Sequence, residues 1–406
     1  MSQPALIPVE DLFAPPAHAT TSISPDGTRL AFLAPWKDRT NVWVQDLHGP
    51  DDTRPEPRCV SAEDTCTVLR YLWTSDPRWL LYLRGRRGHE DRHLLRIDLD
   101  DPDAAVVDLT PGDGVRVLDA CAAPGRPGRA DVWLAARTPG GADLHELDVA
   151  TGRLTVLAES DRPGMSWIRT GDGRLFATTP TADGDLEIAA RDPRTGELQT
   201  VLTRPGADHP LGVLPIEPTP DGAGLWLGAR GHSDLNRLTR VDLGTGTETP
   251  VEGFDALEID AERRAGTDGS SALIRDHEGE LLGIRYLGDR RVVHPVHPRF
   301  ADVLDRIEAL SDGDLDDVSS DRTGRYWVAS FAHDRDPGVT WLYDHTTGAA
   351  ELLFRSHPQL DPDALAPMRP VTIIARDGLA LPTLVTLPVG VEPAGLPLVL
   401  LVHDGP

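Results

Sequence analysis

Short apolar runs, each followed by a polar turn, recur along most of this chain. The turns are Ser24-Pro25-Asp26-Gly27, Thr74-Ser75-Asp76-Pro77, Ala123-Pro124-Gly125, Gly171-Asp172-Gly173, Thr219-Pro220-Asp221-Gly222, Thr267-Asp268-Gly269 and Ser320-Asp321-Arg322-Thr323-Gly324. They lie roughly 48 residues apart, a spacing within the range of propeller repeats. After most of them come an apolar strand, a polar turn and a second strand ending in an acid. Leu30-Ala31-Phe32-Leu33 is followed by Val42-Trp43-Val44-Gln45-Asp46, Leu80-Leu81-Tyr82-Leu83 by Leu94-Leu95-Arg96-Ile97-Asp98, and Leu225-Trp226-Leu227 by Leu238-Thr239-Arg240-Val241-Asp242. Each pair reads as the two central strands of a four-stranded sheet closed by Asp-Gly or Thr-Gly hairpins.

Such a sheet cannot bury both faces alone, whereas radial stacking does so and leaves only short edges. The turn signals therefore predict an all-β, seven-bladed β-propeller over residues 23–355, least regular in its fifth and sixth repeats. A two-sheet sandwich array is the other all-β solution, but it does not need so even a period. Phe300, Val303, Leu304, Ile307 and Leu310 fall at helical spacing and predict one amphipathic helix among the last blades. The proline-rich stretch 356–370 reads as a linker. Val371-Thr372-Ile373-Ile374-Ala375 and the run from Leu379 to Leu387 flank Arg376-Asp377-Gly378 and predict a hairpin with Pro382 at an edge or bulge. The charge-free run Leu398-Val399-Leu400-Leu401-Val402 predicts a strand buried on both faces, running into the loop His403-Asp404-Gly405-Pro406.

Composition narrows the function. A formal net charge of -25 argues against nucleic acid and anionic membrane surfaces as partners. No apolar run approaches the roughly 18 residues needed to span a bilayer. The N-terminus lacks the basic and apolar regions of a signal peptide, so a cytoplasmic protein is expected. Cys59, Cys66 and Cys121 form an odd set without metal-site spacing and read as buried or idle thiols in a reducing compartment. Neither a metal nor a cofactor is expected; a homo-oligomer is left open.

At its two ends the sequence resembles a known family. Ile7-Pro8-Val9-Glu10-Asp11-Leu12-Phe13 and Ile23-Ser24-Pro25-Asp26-Gly27 at the start, with Arg369-Pro370-Val371 and Leu401-Val402-His403-Asp404-Gly405-Pro406 at the end, are similar to prolyl oligopeptidase family serine peptidases. The likeness is greatest to the acylaminoacyl-peptidase and dipeptidyl-aminopeptidase-like bacterial members. It implies a propeller that admits short peptides, followed by the first strands of an incomplete α/β-hydrolase domain at 371–406. Residues 1–22 would pack on that hydrolase domain. The resemblance places the Ser-His-Asp triad after Pro406, so this chain holds no catalytic residue and is expected to be inactive alone. His403, Asp404 and Gly405 would form part of the oxyanion loop. Asp404 replaces a glycine of the family pattern, which puts a carboxylate near a developing oxyanion.

Several local motifs point elsewhere. His89-Glu90-Asp91-Arg92-His93 spells a zinc-protease pattern, but that pattern works only on a helix. Here Gly85 and Gly88 precede it and a strand follows, so it reads as a hairpin. Glu90 and Arg92 are then candidates for a polar lip of the propeller channel that contacts peptide termini. Neither Gly231-His232-Ser233-Asp234-Leu235 nor Ala309-Leu310-Ser311-Asp312-Gly313 has the strand–turn–helix context of a nucleophile elbow. Asp46, Asp98, Asp148 and Asp242 read as turn acceptors, and the tryptophans as core. A non-catalytic TolB-like propeller binding a peptide or protein would fit 23–355 equally, but gives no reason for the segment after Pro370.

Overall fold

The computed structural model describes residues 6–48, 53–86, 88–123, 125–209, 212–214, 216–230, 235–261 and 271–402. Seven four-stranded antiparallel sheets follow one another along the chain. Blade 1 opens with Ala19–Ile23, blade 2 with Thr67–Trp73, blade 3 with Val117–Ala122 and blade 4 with Ser166–Arg169. Blade 5 opens with Ile216–Pro218, blade 6 with Glu258–Ile259 and blade 7 with Asp314–Ser320. First strands approach one another between blades 2 and 3 and between blades 4 and 5, and those of blades 1 and 7 also meet, so the ring closes with the first strands innermost. The expected strand pairs are the two middle strands of blades 1, 2 and 5.

The buried apolar residues fall into seven clusters, one in each seam between blades. Strand alternation explains this: each middle strand sends alternate side chains to the two neighbouring blades. Leu80 and Tyr82 face blade 1, for example, while Leu81 and Leu83 face blade 3. Trp167 and Trp327 are buried in seam clusters, and Trp73, Trp79, Trp133, Trp226 and Trp341 pack against them half-buried.

Blade 6 departs from the repeat. Its innermost position is filled by two short segments, Glu258–Ile259 and Leu273–Arg275, both paired to one edge of Leu281–Leu287. The expected turn at Thr267–Gly269 lies outside the described residues. The turn into the second strand comes later, where Asp276 accepts the Glu278 and Glu280 amides. The predicted helix is Pro298–Glu308, capped by His297. It follows the third strand and stands where the other blades have an outer strand, burying Phe300, Val303, Leu304 and Ile307 against blade 7.

Beyond blade 7, Met368–Ile374 and Ala380–Thr386 form a separate two-stranded sheet in which Thr372 opposes Pro382. Residues 398–402 do not form a strand with any of the described residues. They are exposed, from 72% at Val402 to 94% at Leu401. An apolar run forms a buried strand only where neighbouring strands cover it, and the hairpin offers no such sheet.

Candidate functional site

Two regions carry chemistry: the inner wall of the ring and the end where the chain enters and leaves. On the inner wall, polar side chains bridge adjacent blades. Arg70 Nη2 lies 2.9 Å from Asp119 Oδ1 between blades 2 and 3. Farther out in the next seam, Arg169 at the end of the first strand of blade 4 reaches Glu146 at 2.6 Å and Asp131 at 3.3 Å on the middle strands of blade 3. Arg275 meets Glu217 at 2.6 Å between blades 5 and 6, and Arg285 lies 3.5 Å from Asp317 between blades 6 and 7. Uncharged groups do the same beside blade 1: the Tyr71 hydroxyl is 2.8 Å from Ser22 Oγ, and the Ile23 amide donates to Ser319 Oγ at 3.2 Å.

A repeated irregularity aims these groups. The first strands of blades 7, 1, 2 and 3 each carry one extra residue relative to their partner strand, at corresponding heights. A bulge of this kind re-aims the side chains beside it. Arg70, Asp119 and Asp317 follow the extra residue in blades 2, 3 and 7. In blade 1 it places Thr20 at a φ of 50°, a costly conformation for a β-branched residue. The Tyr71 hydroxyl, 2.5 Å from Thr20 O and 2.7 Å from Ala31 O, holds that segment. Burial raises the Asp119 carboxyl above its ordinary range, against the opposing pull of Arg70. Asp119 and Asp317 nonetheless keep 28% and 29% of their side chains exposed, whereas their partners Arg70 and Arg285 are buried, so the wall presents carboxylate acceptors to an occupant.

The second region follows from topology. Four antiparallel strands return the chain to the end where it started, so residue 18 enters and residue 356 leaves at the same end. The Ala17 amide donates to Ser356 O at 2.7 Å, and Gln359 donates to Asp11 O at 3.1 Å. At this end Asp334, on the middle hairpin of blade 7, accepts the Met368 amide at 2.6 Å and ties down the tail hairpin. Its neighbour His333 lies 2.8 Å from the same carboxylate. The blade 2 hairpin with Glu90 and Arg92 is also here. Glu90 pairs with Arg116 at 2.9 Å, and the Arg92 amide donates to Val115 O, so both residues border the seam with blade 3.

The His89–His93 pattern lies on this hairpin and the start of Arg92–Asp98, as expected, and not on a helix. His93 Nδ1 is 2.9 Å from Thr110 O and 3.2 Å from Asp108. Asp108 continues to Arg84 at 3.2 Å, Arg84 to Glu63 at 3.3 Å, and Glu63 accepts from Tyr82 at 2.7 Å. None of the three cysteines is buried: Cys59 and Cys66 are half-buried and Cys121 is exposed. His403, Asp404, Gly405 and the serine of Gly231–Asp234 lie outside the described residues. The sequence reading missed the inner wall altogether. Its only trace was a charged residue in otherwise apolar first strands, as at Arg70 and Asp119.

The comparisons fit this architecture. No family model matches the chain. It is 30% identical over 412 residues to dipeptidyl aminopeptidase BIII of Pseudoxanthomonas mexicana, covering 99% of this chain and 57% of the relative. It is 20% identical to dipeptidyl peptidase family member 6 of Caenorhabditis elegans, covering 94% of this chain and 52% of that protein. Among solved structures, puromycin hydrolase superposes with a TM-score of 0.63 at 16% identity, covering 95% of this chain and 62% of that one. A prolyl endopeptidase structure gives 0.61 at 13% identity, covering 94% and 56%. The class is thus a seven-bladed propeller of the kind carried by prolyl oligopeptidases. The chain is similar to the propeller part of these peptidases, and spans little more than half the length of the curated relatives it matches. Among the described residues no helix is long and apolar enough to cross a membrane.

Proposed function

We propose that this chain is the gating propeller and the first hydrolase strands of a cytoplasmic serine peptidase acting on short peptides. The observation that carries the reading is the 30% identity to a dipeptidyl aminopeptidase along 99% of this chain, matching 57% of that enzyme. In the longer protein a serine attacks the peptide carbonyl, and a histidine oriented by an aspartate takes its proton. Amides near His403, Asp404 and Gly405 help hold the oxyanion. Residues 1–22 pack on the catalytic domain, and Glu90 and Arg92 contact peptide termini at the tail-side lip. The shared location of that lip, the entering segment and the tail hairpin supports the arrangement.

Residues 1–406 alone should neither hydrolyse dipeptidyl p-nitroanilides nor react with a fluorophosphonate. A longer protein continuing past Pro406 should do both. A labelled serine in residues 1–406, or a longer protein that is folded yet unreactive, would count against the proposal.

A further inference from the structure

The tail hairpin is joined to the ring through very little. Its two strands pair only with each other, and most of their residues are exposed. Among the described residues a single hydrogen bond links 368–402 to the ring: the Met368 amide donates to Asp334 Oδ2 at 2.6 Å. Strand alternation leaves that amide available. The Ala375 amide donates to Leu379 O, and counting back from that pair puts Met368 opposite Thr386 at a position whose amide faces out of the hairpin.

On the ring side Asp334 is firmly mounted. It lies in the connection 333–338 between Tyr326–Ala332 and Val339–Asp344, the middle strands of blade 7. Asp336 pairs with Arg355 of the outer strand, and the Ser356 amide donates to Gly338 O at 2.8 Å, which fixes the returning limb. On the other limb His333 Nδ1 lies 2.8 Å from Asp334 Oδ1, a distance that requires a proton between them. Nε2 of the same ring lies 3.6 Å from Asp312, in the loop between the helix Pro298–Glu308 and blade 7. The imidazole thus stands between two carboxylates. The other charged groups around it are Arg335, whose amide lies 3.1 Å from Nδ1, the Asp336–Arg355 pair, and Arg290, which donates to Asp312 O. His333 and Asp334 keep only 18% and 17% of their side chains exposed, so solvent screens their contact less than it would a surface pair.

A second proton on His333 turns a neutral spacer into a cation that attracts both carboxylates. Asp334 Oδ1 is then pinned to the ring while Oδ2 stays turned to Met368. We propose that Asp334 is the latch that fixes the tail hairpin to blade 7, and that the charge of His333 sets how firmly it holds. The imidazolium holds it tightly and the neutral ring more loosely. The latch is a property of residues 1–406 and stands without the peptidase reading. One consequence rests on that reading: where the hairpin begins a catalytic domain, the seating of that domain on the ring responds to pH.

The test is residue-resolved hydrogen exchange of residues 1–406, with rates corrected for the intrinsic pH dependence of amide exchange. In the parent the Met368 amide should be about threefold better protected at pH 5.5 than at pH 8. Asp334→Ala should lower that protection about tenfold at both values, while the amides of Tyr326–Ala332 keep theirs and so report an intact ring. His333→Gln, which keeps a hydrogen-bonding group but cannot be charged, should show the protection of the pH 8 parent at both values. The proposal is overturned by a Met368 amide as unprotected in the parent as in Asp334→Ala, by a parent without the pH response, or by a pH response that survives in His333→Gln.

Discussion

Single aspartates set the turns of this ring, and their chemistry makes its stability depend on pH. The expectation that blade-end acids accept turn amides holds at Asp98, Asp148 and Asp242, and extends to Asp192 and Asp344 in blades 4 and 7. Asp46 differs: it pairs with Arg29 at 3.2 Å. Hydrogen bonds lower these carboxyls, chiefly from Arg78 to Asp98, from the Thr151 amide to Asp148 and from the Thr245 amide to Asp242. Asp344 falls to about 2 from an ordinary 3.8, chiefly because Arg325 donates to it. A carboxyl whose folded value is depressed contributes stability above its unfolded value and loses it as pH falls toward the folded one. The contribution of Asp344 is therefore complete at pH 6 and lost between 3.8 and about 2. Asp344→Asn should lower Tm by about a degree or two at pH 7 and by nothing measurable near pH 2, in paired calorimetric scans.

At the scale of elements, the middle strands were legible because their neighbours are local: hairpin partners follow one another in sequence, and alternation marks their faces. The helix Pro298–Glu308 was legible for the same reason, since its four buried residues share one face. Its role was not. Only the ring shows that it substitutes for a strand and fills the seam between blades 6 and 7. Phe300, with no exposed surface, sits at the centre of that seam beside Trp327. Phe300→Ala should cost about 3–5 kcal/mol by urea unfolding, because neither blade can close over the space left behind. A loss below about 1 kcal/mol would mean that the helix is not part of the packed seam. The first strand of blade 6 escaped the reading because its two segments are too short to show a period.

At the scale of the molecule, one end of the ring gathers what a single blade would not need. The entering segment leaves Leu6 and Phe13 exposed, and the tail hairpin exposes Ile373, Ile374, Leu379 and Leu384. Residues 398–402 add a further run of exposed apolar side chains. Residues 1–365 should accordingly stay monomeric, by light scattering, at concentrations where residues 1–406 associate. Equal behaviour would mean that the tail finds cover within the chain.

The sequence alone determined the blade period, the middle strands, the helix and the tail hairpin, because each rests on contacts between residues close along the chain. The tertiary structure alone decided the inner wall, the coincident bulges and the seat of the helix. Arg70 and Asp119 lie on strands of different blades, and Phe300 and Trp327 meet only because the helix lies against blade 7. No periodicity within one repeat encodes which side chains will face each other across a seam. The run 398–402 marks the same limit from the other side: its pattern prescribes a buried strand, and only neighbouring strands can bury it.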